Sequence, residues 1–180
     1  MKLGQNFFPK SSFLSIDKDY NMIVSKILEN QKLLKLLKFT QKDCLRAPDL
    51  GGEDIMKMID KQIRIVPQLL IDEDCPNYLV ISMDNFVGNS TNPEFRDCII
   101  QFMILCHPDH WNLGNFALRP YKIAGELDAM FNRARLTGIG TLEFVGCSNL
   151  FLDSDFMGVL MIYNAIHGVE DQIDPLMEYA

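Results

Sequence analysis

Two stretches of this chain are apolar on both parities, and they constrain its fold more than anything else in it. In FRDCIIQFMILC, Ile99, Met103 and Leu105 fall on one parity, and Cys98, Ile100, Phe102 and Ile104 on the other. Side chains of a strand alternate between its two faces, so such a strand is expected to be covered on both. FMGVLMIYNAI, from Phe156 to Ile166, has the same character. One of its sides is expected against a helix and the other against a neighbouring subunit.

Around these two strands the periodicity changes. From about Asp17 to near Phe39, Ile23, Val24, Ile27, Leu28, Leu34 and Leu37 recur at helical spacing with Lys26, Lys32, Lys35 and Lys38 between them. This predicts one amphipathic helix with a solvated basic face. EDIMKMIDKQI reads as a short helix with its acids at the N-terminal end, where the helix dipole favours them. Strands are expected over Gln62 to Val66 and Tyr78 to Val87, the latter joined to Phe95 to Cys106 by the turn-rich GNSTNPE. A second long helix is expected from Pro120, with Ile123, Leu127, Met130 and Phe131 on one stripe and Gly138 closing it after Arg133 and Arg135. Strands Ile139 to Val145 and Phe156 to Ile166 follow, joined by a polar turn region. The expected fold class is α+β, a mostly antiparallel sheet packed against two main helices.

With 180 residues, 48% of them hydrophobic, the chain is long enough for one domain with a sizeable core. We divide it into an N-terminal arm (1–16), a single α+β domain (17–168) and an acidic C-terminal tail (169–180). A net charge of −7 opposes tight binding to nucleic acid, which needs cations to neutralise phosphates. Five scattered cysteines without a CxxC fit reduced thiols in a cytosolic setting. No stretch has the length and character of a signal peptide or membrane span, so no membrane association is expected.

LCHPDHW, Leu105 to Trp111, concentrates Cys106, His107, Asp109 and His110. Zinc requires donors converging in a tetrahedron, whereas neighbouring strand residues point to opposite faces. We therefore read Cys106 as a buried thiol at a strand end, and His110 and Trp111 as polar-aromatic interface residues. Thiol catalysis would need a base oriented by a third group, and no pattern here identifies one. Asp153 and Asp155 form a DxD that can in principle hold Mg²⁺, but neither a lysine at strand spacing nor a phosphate loop accompanies it; solvated loop acids are expected. The loop Gly88 to Glu94 reads equally well as a long hairpin turn and as a binding loop.

The stretch FRDCIIQFMILCHPDHWNLGNFALRPYKIAGELDAMFN, preceded by a helix ending in LLKLLKF and followed by GIGTLEF and FMGVLMIY, resembles the tail terminators and related neck proteins of tailed bacteriophages over about residues 17 to 167. The resemblance implies a sheet with helices on one side, in subunits that assemble as a hexameric ring capping the tail tube and joining it to the head connector or stopper protein. Phage DNA would pass through the lumen without specific binding, which suits an acidic wall. It implies a virion protein of the neck, made in the host cytoplasm, with no catalytic residue, metal or cofactor. The long N-terminal arm and the elaborate CHPDHW segment depart from the family pattern. Interface residues are expected in the arm (Phe7, Phe8, Phe13), in the hairpin loop and its flank (Asn89, Asn92, Phe95), after the long strand (His110, Trp111) and in the final turn (Asp153, Asp155). The alternatives are another neck part, such as a head-closure or connector adaptor, a host-side binding module, or a metal-dependent hydrolase built on Cys106, His110, Asp153 and Asp155.

Overall fold

The computed structural model describes residue 13 and residues 16–65, 75–90, 95–136, 140–152 and 156–168, with residues 95, 167 and 168 described as backbone alone. The expected first helix is two, α1 (Ile16–Leu28) and α2 (Gln31–Lys38). Asn30 makes the break: its extended backbone stops the first helix, and its side chain accepts from the Leu33 N–H at 3.0 Å to start the second. A short α3 (Gly52–Met56) replaces the longer helix expected there, and α4 (Arg119–Phe131) begins with Pro120 in its first turn as foreseen.

The main sheet has five strands in the order β1 (Ile63–Arg64), β2 (Asn77–Gly88), β3 (Phe95–Cys106), β7 (Met157–Gly168) and β6 (Glu143–Phe151). Only β1 and β2 run parallel; every other neighbouring pair is antiparallel, in the expected α+β arrangement. A two-stranded ribbon, β4 (Arg135–Leu136) with β5 (Gly140–Thr141), lies between α4 and β6 in sequence. Helix α4 ends at Phe131, earlier than expected, where Arg133 turns to a positive φ of 59° and donates its N–H to the Leu142 carbonyl at 2.8 Å. Gly138 lies outside the described residues. Strand β6 extends into the segment expected as a polar turn, because a strand at a sheet's edge does not need the apolar alternation of a covered one.

One face of the sheet carries the core. Leu79 and Ile81 of β2, Cys98, Ile100, Phe102 and Ile104 of β3, and Val159, Met161 and Tyr163 of β7 are buried against Leu33, Leu34, Leu36 and Leu37 of α2 and Ile123, Leu127 and Phe131 of α4. Phe102 stacks on Phe131 at 5.1 Å and meets Tyr163 edge-on at 5.8 Å. Tyr163 donates to Asp128 Oδ1 at 2.9 Å, and burial with that bond holds its phenol protonated, well above the usual tyrosine range. The basic side of α2 is less solvated than expected. Lys35 is buried and pairs with Asp49 at 2.7 Å, and Lys38 pairs with Asp54 at 3.0 Å.

The opposite face is closed at one end, where Leu105 joins Cys75, Tyr78 and Phe156 in a second small cluster. Along the rest of it Ile99, Gln101, Met103, Leu160 and Ile162 stay half-buried and Ile166 is exposed. The strand expected to be covered on both sides is so covered only at its C-terminal end.

Candidate functional site

The segment CHPDHW closes β3 and turns into a 3-10 turn, Pro108–His110. Its geometry is organised by Arg119, which is wholly buried at the start of α4. The guanidinium donates to five backbone carbonyls: Nε to His110 at 2.7 Å, Nη1 to Leu36 at 2.7 Å and Phe39 at 2.6 Å, and Nη2 to Thr40 and Gln41, each at 3.0 Å. Four of those carbonyls lie at and beyond the C-terminal end of α2, where unpaired carbonyls and the helix dipole favour a cation. Arg119 thus locks the end of α2, the 3-10 turn and α4 together. Its own N–H bonds the Trp111 carbonyl at 2.7 Å, while the Trp111 indole donates to the Cys106 carbonyl at 3.1 Å.

Within this knot the groups considered as reactive have structural neighbours. Burial pushes the Cys106 thiol up from 9.0 to about 12, which keeps it protonated and a poor nucleophile or ligand. His107 accepts from the Asp109 N–H at 3.3 Å. His110 is held below its ordinary value of 6.5, first by desolvation and then by the neighbouring His107 and Arg119. Among the described residues no group of three His, Cys, Asp or Glu is arranged to hold a metal ion.

The other expected interface residues are scattered. Phe13 lies against Phe86 of its own chain at 5.2 Å, with the Arg96 guanidinium over its ring at 5.0 Å. Asn89 donates to Asp97 Oδ1 at 3.0 Å across the mouth of the hairpin. Phe95 opens β3 opposite Gly168. His110 and Trp111 are half-buried in the Arg119 knot. Phe7, Phe8, Asn92, Asp153 and Asp155 lie outside the described residues.

Two surface features escaped the sequence reading. The first is the turn Gly114–Ala117, where Asn115 and Phe116 both take positive φ (50° and 59°) and the Ala117 N–H bonds the Gly114 carbonyl at 2.9 Å. This is the pattern of a type I′ turn, whose second central position favours glycine. Here it holds phenylalanine, 100% exposed. The turn stands just before α4; Leu118 ahead of the helix and Tyr121 in its first turn are exposed, and Tyr121 donates to Asn149 Oδ1 of β6 at 3.0 Å. The second feature is β6 itself, with Phe144, Val145 and Phe151 exposed, followed by exposed Leu152. A half-open cleft of about 570 Å³, lined by Asn132, Arg133, Thr141, Glu143 and Phe144, flanks the start of this strand.

No curated protein matches the chain. A family model does, over residues 30–165, from the start of α2 through most of β7, and so across both faces of the core and the Arg119 knot. The chain belongs to the YomW family and is a phage-related protein.

Proposed function

We propose that this chain is a structural neck protein of a tailed phage, a tail terminator that self-associates into a ring between the tail tube and the head connector or stopper. The ring is a hexamer by the resemblance noted above, with DNA passing through an acidic lumen. The protein acts without catalysis, cofactor or membrane, is made in the host cytoplasm and resides in the virion.

The observation that carries this reading is Phe116. A bulky L-residue in the left-handed region costs about 1–2 kcal/mol, and a glycine would occupy the position more easily. The ring gains no burial on its own chain in return. Strain combined with complete exposure of an aromatic side chain suits an anchor that enters a pocket on another protein. Family membership in a phage-related group supports the setting, and the apolar surface at α4 and β6 supports a protein that works by fitting others.

The test places Phe116→Gly in phage-producing cells and follows the protein with gold-labelled antibody. The variant should fold with equal or higher stability, by up to about 1 kcal/mol, because strain is removed and no packing is lost. Wild-type protein should label the head–tail junction, and the variant should leave filled heads and separate tails. Wild-type protein absent from particles would overturn the neck reading. Normal joining by the variant would remove Phe116 from it.

A further inference from the structure

The sheet has two edges, and they are guarded differently. At the β2 edge, β1 covers Leu79 and Val80, the Met83 N–H donates to the Tyr20 hydroxyl at 2.8 Å, and an irregularity between Asp84 and Val87, with Asn85 at positive φ, breaks the ladder beyond. Capping groups, bulges and charge are the usual means of blocking a further strand. The β6 edge has none of these over Gly146–Phe151. Its one irregularity lies at the start, between Phe144 and Gly146, and its one charge is Glu143. Seven of its nine residues are exposed. Among the described residues no strand pairs with its outer side.

We propose that β6 pairs antiparallel with β6 of a second copy of this chain, about a two-fold axis through Ser148, to join two sheets into one. A head-to-tail chain of copies would need an open edge at both ends of the sheet, and one is shut, so the contact is isologous. The register follows from the faces. Phe144 opposes Tyr163 and Gly146 opposes Ile162 in the ladder with β7, which makes Val145 the extra residue and puts Phe144, Cys147, Asn149 and Phe151 on the helix side. Opposed residues of an antiparallel pair share a face. Pairing about Ser148 sets Cys147 opposite Asn149, Gly146 opposite Leu150 and Phe144 opposite Phe151, twice over. Centring the axis one residue earlier or later separates the two aromatic side chains. The same register sets Glu143 against Leu152, so two copies of an acidic chain meet along this edge without opposing like charges.

This inference does not rest on the neck reading. A two-fold pair has no polarity, whereas a ring with different partners on its two faces must have one. The pair is accordingly a form of the free chain, and ring closure uses other surfaces.

Sedimentation of the purified full chain tests the pairing, with Ser148→Lys and, in a Cys147→Ser background, Ser148→Cys. The wild type should sediment at twice its 20.6 kDa. Lysine at the axis puts two cations face to face and should weaken association at least tenfold, with the fold unchanged by circular dichroism. Opposed Cα atoms at about 4.5–5.5 Å lie within disulfide range, so the cysteine variant should cross-link on mild oxidation well ahead of a Lys57→Cys control just after α3. A monomeric wild type overturns the pairing, as does a Ser148→Lys protein that keeps the wild-type mass or a cysteine variant no faster than the control. A six-chain particle indifferent to Ser148→Lys would overturn it and leave the neck reading intact.

Discussion

Arg119 shows how much one side chain can hold in a chain without disulfides. Its charge has no carboxylate partner among its bonds; it is met by five carbonyls, four of them from residues 36–41. Arginine suits this because its planar fork presents five donors in fixed directions, whereas a lysine ammonium presents three around one point. Arg119→Met should therefore cost about 3 kcal/mol or more, since several buried acceptors lose their donors at once. Arg119→Lys should recover little of that loss. Urea unfolding of the three proteins checks this, and a lysine variant within about 0.5 kcal/mol of wild type would show that charge alone suffices. The sequence marks Pro120 as the start of a helix, one residue after its first residue, Arg119. The role of the guanidinium is not legible there, because four of its five acceptors lie 78 to 83 positions earlier, at a spacing that no periodicity marks.

At the scale of elements, a single polar side chain divides the first helical segment. Apolar spacing runs through Asn30 almost undisturbed, so periodicity reads one helix where there are two. What decides the break is that Asn30 both caps α2 and reaches α4, donating to Glu126 Oε2 at 3.0 Å. Helix propensity at one site differs by well under 1 kcal/mol between ordinary residues, less than a cap and a tertiary bond together. Asn30→Ala should cost about 1–2 kcal/mol in thermal or chemical unfolding while keeping the helix content, because the packing of α1 and α2 persists. A neutral substitution would mean that the apolar contacts alone set the break. The covered strands are more legible. The bounds of β3 agree with expectation and those of β2 and β7 nearly so, since long apolar strands advertise themselves. In contrast, the expected strand Ile139 to Val145 starts ahead of β6 and overlaps only its first three residues, because CSNL looks like a turn when its neighbour strand is unknown.

For the whole molecule, the balance between apolar surface and charge decides association. A chain carrying −7 repels its own copies at long range, while the exposed residues of β6, α4 and the Phe116 turn favour contact at short range. Salt shortens the reach of the repulsion to about 8–10 Å near physiological strength and leaves apolar contact nearly untouched. Self-association should therefore strengthen between about 20 and 300 mM salt, as read by sedimentation equilibrium. Weakening with salt would indicate a contact built on opposite charges. The sequence by itself determined the α+β class, the hairpin of β2 and β3, a helix start at Pro120 to within one residue and the burial of Cys106 at a strand end, because these follow from local periodicity and from residue chemistry. Only the tertiary structure decided which strand lies at the open edge, that Arg119 binds CHPDHW to α2, and that Phe116 stands uncovered. Each of those depends on which distant segments come to lie beside one another, and neither composition nor spacing within one segment carries that information.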